Sequence, residues 1–234
     1  ALAASLSLFM LMALQMNGTL WGPTAQNGQS GFYAIFPHNF MVSLFAPVFL
    51  WAVLALGMGV RKFWRDVTPA TSGAPLSTPA AAEATHDALK LKYLGGGHGD
   101  GCNNEDDAFT LARKRMHHLT FYGFMLCFAA TSVATLYHYA LGWPAPYDFT
   151  SLPKILGTVG GISLALGTFG LWRLNLARDP QHGDVKQRPM DRGFIALLFL
   201  ISVTGLALML SRNSAAMPSL LALHLGLVMA LFLT

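Results

Sequence analysis

Histidine is the residue type with most chemical potential in this 234-residue chain. His38, His117, His118, His138 and His224 fall inside or at the ends of long apolar runs, whereas His86, His98 and His182 lie in polar stretches. An imidazole held among apolar side chains has two uses. It can serve as a hydrogen-bonded anchor at an interface, or it can give a ring nitrogen to a metal, and two such rings on different helices can clamp the iron of a b-type haem. On one helix, His118 and His138 stand about 30 Å apart, the thickness of a bilayer core. At about 100° per residue, position 138 falls roughly 60° from His117 and roughly 160° from His118, so His117 shares the face of His138 better. His224, about two turns into the last apolar run, comes to a similar depth as His138. His38, at the start of the second run, is its rival.

Other chemistries have less behind them. Cys102 and Cys127 are too few for a disulfide framework or for the four thiolates of an iron–sulfur cluster. The run Gly95-Gly96-Gly97-His98-Gly99-Asp100-Gly101-Cys102 resembles a phosphate-cradling loop only in its glycine content, because no strand precedes it and no Lys-Ser/Thr follows.

The elements that must position these histidines follow from composition. Apolar residues make up 53% of the chain and charged residues only 11%, where a soluble domain carries about a quarter charged. A net charge of +4 is small, and the basic residues sit between apolar runs and not along one face. Nucleic-acid binding is excluded on that pattern. Charge-free runs at 1–60, 116–147, 155–172, 193–211 and 213–234 predict an all-α integral membrane protein. It has six transmembrane helices, at 1–17, 38–60, 116–141, 153–174, 193–211 and 217–234. Residues 1–60 then hold the first two spans, 61–115 a polar linker and Gly-rich loop, and 116–234 a four-helix bundle. Within the linker, 68–85 reads as flexible and 86–94 as one or two helical turns. The abrupt start at Ala1 and stop at Thr234 read as a membrane domain cut from a longer chain.

Lys and Arg set the orientation. Stretch 61–115 holds eight of them and 173–192 holds five, against only Lys154 and Arg212 in the other connections. The basic stretches and both termini are therefore expected in the cytoplasm, with a multi-pass chain in a bacterial cytoplasmic membrane. Trp21, Phe32, Tyr33, Phe36, Tyr137, Tyr139, Trp143 and Tyr147 would form the aromatic belt on the outer side. On the fourth span, Gly157-x-x-x-Gly161 and Ser163-x-x-x-Gly167 make a small-residue face suited to close helix packing or to a flat macrocycle.

The stretch from Arg113 through Met116-His117-His118-Leu119-Thr120-Phe121-Tyr122-Gly123-Phe124 resembles a signature of the tricarballylate/citrate utilisation protein B family. So does its continuation, Cys127 to Tyr139. Ala145-Pro146-Tyr147, Ser151-Leu152-Pro153, Leu156 to Gly161, Arg178-Asp179-Pro180 and His224-Leu225-Gly226 extend the resemblance over the whole chain. Family members place a ferredoxin-like domain with two 4Fe-4S clusters before this membrane domain. The resemblance implies an electron-transfer subunit that reoxidises an FAD-dependent, tricarballylate dehydrogenase-like flavoprotein and reduces the quinone pool through one or two b-type haems. Spans three to six also look like the gamma subunit of respiratory nitrate reductase. That likeness implies haem ligands from His117 or His118 with His138 on one helix, and from His224 on the last.

Two other readings use the same residues. One is a six-helix transporter for a small carboxylate, which would need a polar or cationic site at mid-membrane that the runs do not contain. The other is a haem-free membrane anchor for the dehydrogenase.

Overall fold

The structure, a computed structural model, describes residues 1–22, 31–68, 77–95, 110–178 and 184–234. Among them the chain is all-helical, without strands. Its helices are α1 (Leu2–Asn17), α2 (His38–Val67), α3 (Thr78–Leu89), α4 (Ala112–Ala140), α5 (Leu152–Ala177), α6 (Arg188–Leu210) and α7 (Met217–Leu233). Four of these, α2, α4, α5 and α6, are long and apolar enough to cross a membrane, while α1 and α7 are apolar but span 16 and 17 residues.

Each of the six expected apolar helices is present, with shifted ends. The second continues to Val67 and the third begins at Ala112. Arg61, Lys62, Arg65 and Arg113 to Arg115 end an apolar run, but Arg and Lys are good helix formers and do not end a helix. The seventh, α3, corrects the expectation of a flexible linker over 68–85. Ser77 Oγ accepts a hydrogen bond from the Ala80 N–H at 3.3 Å, and Pro79 occupies the first turn. A cap, an early proline and three following alanines are enough to start a helix. The helix ends in a 3-10 turn at Lys92–Gly95, where Lys92 Nζ donates to Asp87 Oδ2 at 2.7 Å. That bond holds the Asp87 carboxyl below the usual carboxylate range. Tyr122 Oη donates to the Leu89 carbonyl at 2.9 Å, tying α3 to α4. Most of the Gly-rich loop, with His98 and Cys102, lies outside the described residues, as does His182.

Successive apolar helices run antiparallel, and the tightest contact is between α4 and α5. A Cβ on Gly123 would stand 2.5 Å from the Leu164 nitrogen, one on Gly160 2.8 Å from the Cys127 nitrogen, and one on Gly167 2.5 Å from the Thr120 nitrogen. No side chain fits at these points, so backbone meets backbone, and Ser163 Oγ adds a hydrogen bond to the Leu119 carbonyl at 2.9 Å. Close packing is thus the use made of the small residues. The seam runs through Gly160 and Gly167, whereas Gly161 turns to α6, its Cβ position 3.0 Å from Leu206. At the opposite end from the α5 start, Arg192 Nε donates to Asn175 Oδ1 at 2.9 Å and gives that buried amide its partner.

α7 packs between α1 and α6. Phe9, Ala13, Met217, Leu221 and Ala222 form a core into which Ile35 and Phe36 plug, each 1% exposed. These two residues follow the 3-10 turn at Gly31–Ala34 and precede Pro37, the N-cap of α2. They therefore fix where His38 begins its helix. Beyond that point one side of α2 packs on this core through Phe40, Met41, Leu44, Phe45 and Val48, and the rest of the helix is open. None of its residues is buried, and Leu50, Trp51, Leu56 and Phe63 are each more than half exposed. So large an apolar surface is stable only against lipid or an apolar partner.

Gly123→Ala is expected to destabilise the helical domain by about 1–3 kcal/mol through overpacking. Gly57→Ala, which meets nothing within 4 Å, should cause no loss. Thermal unfolding in detergent, followed by circular dichroism, compares the two.

Candidate functional site

Two helix ends meet at the first cluster. His38 opens α2 and His138 lies in the last turn of α4. Their ring centroids are 4.0 Å apart at 67°. Tyr33 stacks on the other face of this group, 5.4 Å from His38 and inclined by 10°, and Tyr139 lies 5.7 Å from His38 and 4.9 Å from His138. His138 is held because the following loop folds back on its helix. The Trp143 N–H donates to the Tyr137 carbonyl at 2.9 Å, and Tyr147 Oη lies 3.1 Å from both the Ala134 and Trp143 carbonyls.

Both ring nitrogens of His38 are buried and have no hydrogen-bond partner. A buried polar group left this way costs roughly 1–3 kcal/mol, so a side chain with two such atoms is unusual unless a ligand uses them. Among the described residues, no three His, Cys, Asp or Glu side chains gather, whereas a stand-alone zinc site needs three or four protein ligands. A pair of imidazoles from different helices instead suits an iron already held by a macrocycle. One geometric condition follows. Metal–nitrogen bonds of about 2 Å on each side separate the donor nitrogens by about 4 Å. The ring centres must then stand farther apart than the 4.0 Å seen here. The donor types suit a haem iron, and the ring spacing seen here would have to widen to admit one.

The second site is on the opposite side of α7. His224 Nδ1 is 3.0 Å from Thr204 Oγ1 of α6. That hydroxyl donates its own proton to the Leu200 carbonyl at 2.7 Å. Its lone pair therefore faces the ring, and the matching tautomer carries a proton on Nδ1 and a lone pair on Nε2. Gly205 makes room for the ring, since a Cβ there would stand 3.0 Å from His224 Cε1.

The sequence paired His138 with His224 and kept His38 as the rival. In the structure the ring in contact with His138 is that of His38, and the contacts of His224 are with α6. His117 and His118 stand near the other end of α4, about 30 Å from His138. His118 falls about 200° round the helix from Met116, which faces the α5 seam, and its ring lies 5.9 Å from that of Tyr122. His86 is exposed and 3.6 Å from Asp87. Sequence reasoning placed Tyr33 and Tyr139 in an aromatic belt and did not connect them to His38. It passed over Thr204 and Gly205, because their role depends on which face of α6 meets α7.

Thr204→Val is expected to remove one of the two acceptors beside the buried His224 ring, leaving the Ile201 carbonyl, and to lower stability by about 1 kcal/mol. Thr204→Ser should restore most of the loss. Melting curves of the two variants against the parent protein measure the difference.

Comparison with known proteins covers the whole chain. The family described as CitB, citrate utilization protein B, matches residues 1–234. The chain is 56% identical over 235 residues to Citrate utilization protein B of Escherichia coli, an alignment that takes in 100% of this chain and 60% of the relative. The chain thus spans about three-fifths of the length of that curated protein. No solved structure matches it. With a full-length family match and more than half of its residues shared with a curated member, the chain belongs to the citrate utilization protein B family.

Proposed function

We propose that this chain is the membrane electron-transfer part of a citrate or tricarballylate utilisation system. In this reading it carries b-type haem and passes electrons from an FAD-dependent, tricarballylate dehydrogenase-like flavoprotein, by way of a ferredoxin-type 4Fe-4S domain, to the quinone pool. All six apolar helices would cross a bacterial cytoplasmic membrane with both ends of the chain inside, and α4 to α7 would form the haem-binding bundle. The observation that carries the proposal is His38, whose two buried ring nitrogens lack partners while its ring touches that of His138 from another helix.

When bound, haem supplies a one-electron carrier. The chain's own residues do the rest. His38 and His138 offer a nitrogen each, from helices joined by neither a short loop nor a tight seam. Tyr33 stacks on the His38 ring and Tyr139 meets both imidazoles edge-on. Thr204 holds the Nδ1 side of His224, which leaves Nε2 as a second donor, as hydrogen-bonded histidine ligands generally require. His117 and His118 supply imidazoles at the other end of α4, where a second haem would sit nearer the basic stretches. No carboxylate substrate would touch these residues, so substrate choice would rest with the flavoprotein.

A dithionite-reduced minus air-oxidised spectrum, with haem quantified as its pyridine haemochrome, tests the reading on protein purified from haem-replete cells. A low-spin b-type signal is expected. His38→Ala and His138→Ala should each remove the same haem, and His224→Ala should remove a haem or shift its potential. A haem-free preparation, or three variants with parental spectra, would overturn the proposal and favour the haem-free anchor.

A further inference from the structure

We propose that Lys154, Arg212 and the ring of Phe149 form a binding site for the phosphate of an anionic lipid headgroup. The inference rests on the helices lying in a membrane but not on the haem. At the end of the bundle where α5 begins and α6 stops, the connections carry three charged side chains, Asp148, Lys154 and Arg212. The two cations share one aromatic ring. Lys154 Nζ lies 5.3 Å and Arg212 Cζ 5.8 Å from the centroid of Phe149. Among the described residues neither cation forms an ion pair, and Asp148, in the same loop, is exposed and pairs with neither.

Arg212 is set in place with donors to spare. Its Nη2 donates to the Tyr147 carbonyl at 3.3 Å, while its Nε is buried without a partner. The start of α5 adds to the positive potential. Ser151 precedes the helix but turns its hydroxyl to the Asp148 carbonyl at 2.6 Å, so α5 begins without a side-chain cap. The N–H groups of Leu152 and Lys154, Pro153 between them having none, and the helix dipole thus add positive potential at the turn that carries Lys154. Two like charges around one ring, with no acid between them, repel each other until an anion joins them.

The surroundings say which anion. Phe149 is 63% exposed, and Leu152, three residues on, and Trp143, in the same α4–α5 connection, are 47% and 57% exposed. A freely soluble anion gains nothing from such neighbours. A lipid places its phosphate on the cations and its glycerol and acyl chains on the exposed apolar surface, at the level where Trp and Lys or Arg normally meet headgroups.

The test uses native mass spectrometry on the purified protein in detergent, titrated separately with phosphatidylglycerol and phosphatidylcholine. The parent protein should retain phosphatidylglycerol in preference. Lys154→Gln with Arg212→Gln should weaken that retention roughly tenfold or more, and Lys154→Gln alone should weaken it less. Equal retention of the two lipids by the parent protein would overturn the site without any variant. So would parental retention by the double variant. Inorganic phosphate or citrate raising the melting temperature through the same two residues, with no lipid preference, would assign the cluster to a soluble anion and overturn the lipid assignment.

Discussion

Where α4 meets α5, no side chain separates the two backbones at Gly123, Gly160 and Gly167. In an apolar solvent, helices gain little from burying apolar surface against each other, so contact of this closeness is what holds them. The seam allows one rotation of each helix. Turning α4 by one residue would put Tyr122 or Phe124 where Gly123 meets the Leu164 backbone. With α4 locked, His118 faces away from α5, and with α5 locked, Gly161 is presented to Leu206 of α6. α6 in turn offers Thr204 and Gly205 to His224 of α7. α7 receives α1 through Gly226, whose Cβ position is 3.0 Å from Leu6. One glycine contact thus sets the orientation of each later element in sequence.

α2 stands outside this chain of contacts. It is anchored at its start by the buried Ile35 and Phe36, packs one side on the α1–α7 core through Phe40, Met41, Leu44, Phe45 and Val48, and meets Phe128 and Phe232 through Phe49. The two kinds of histidine differ for that reason. His224 is fixed by a hydrogen bond and a glycine notch between tightly packed helices. The ring of His38 has no hydrogen bond and is bounded by the rings of Tyr33, His138 and Tyr139.

Charge separates the two ends of the bundle. Thirteen of the 15 Lys and Arg lie in the two long polar stretches. The end bearing His38 and His138 has two cations, and both gather about Phe149. The crowded end spreads its positive charge over two long stretches, whereas the sparse end presents its charge at a single place.

From the residues alone came the all-helical class, the six apolar helices, the basic asymmetry and the importance of histidine, because each depends on composition or on spacing along one helix. The helical stretch Thr78–Leu89 was also legible in Ser77, Pro79 and the alanines after them, but alanine- and proline-rich composition read as linker outweighed that local signal. Depth along a helix follows from counting residues, which is why His38, His138 and His224 could all be assigned to one end. Which two of them meet could not be counted. That depends on how each helix is rotated about its axis, and rotation is decided between helices by glycines 37 or more positions apart, as Gly123 and Gly160 are. Only the tertiary packing brings His38 to His138, Thr204 to His224, and Lys154 with Arg212 to one phenylalanine ring.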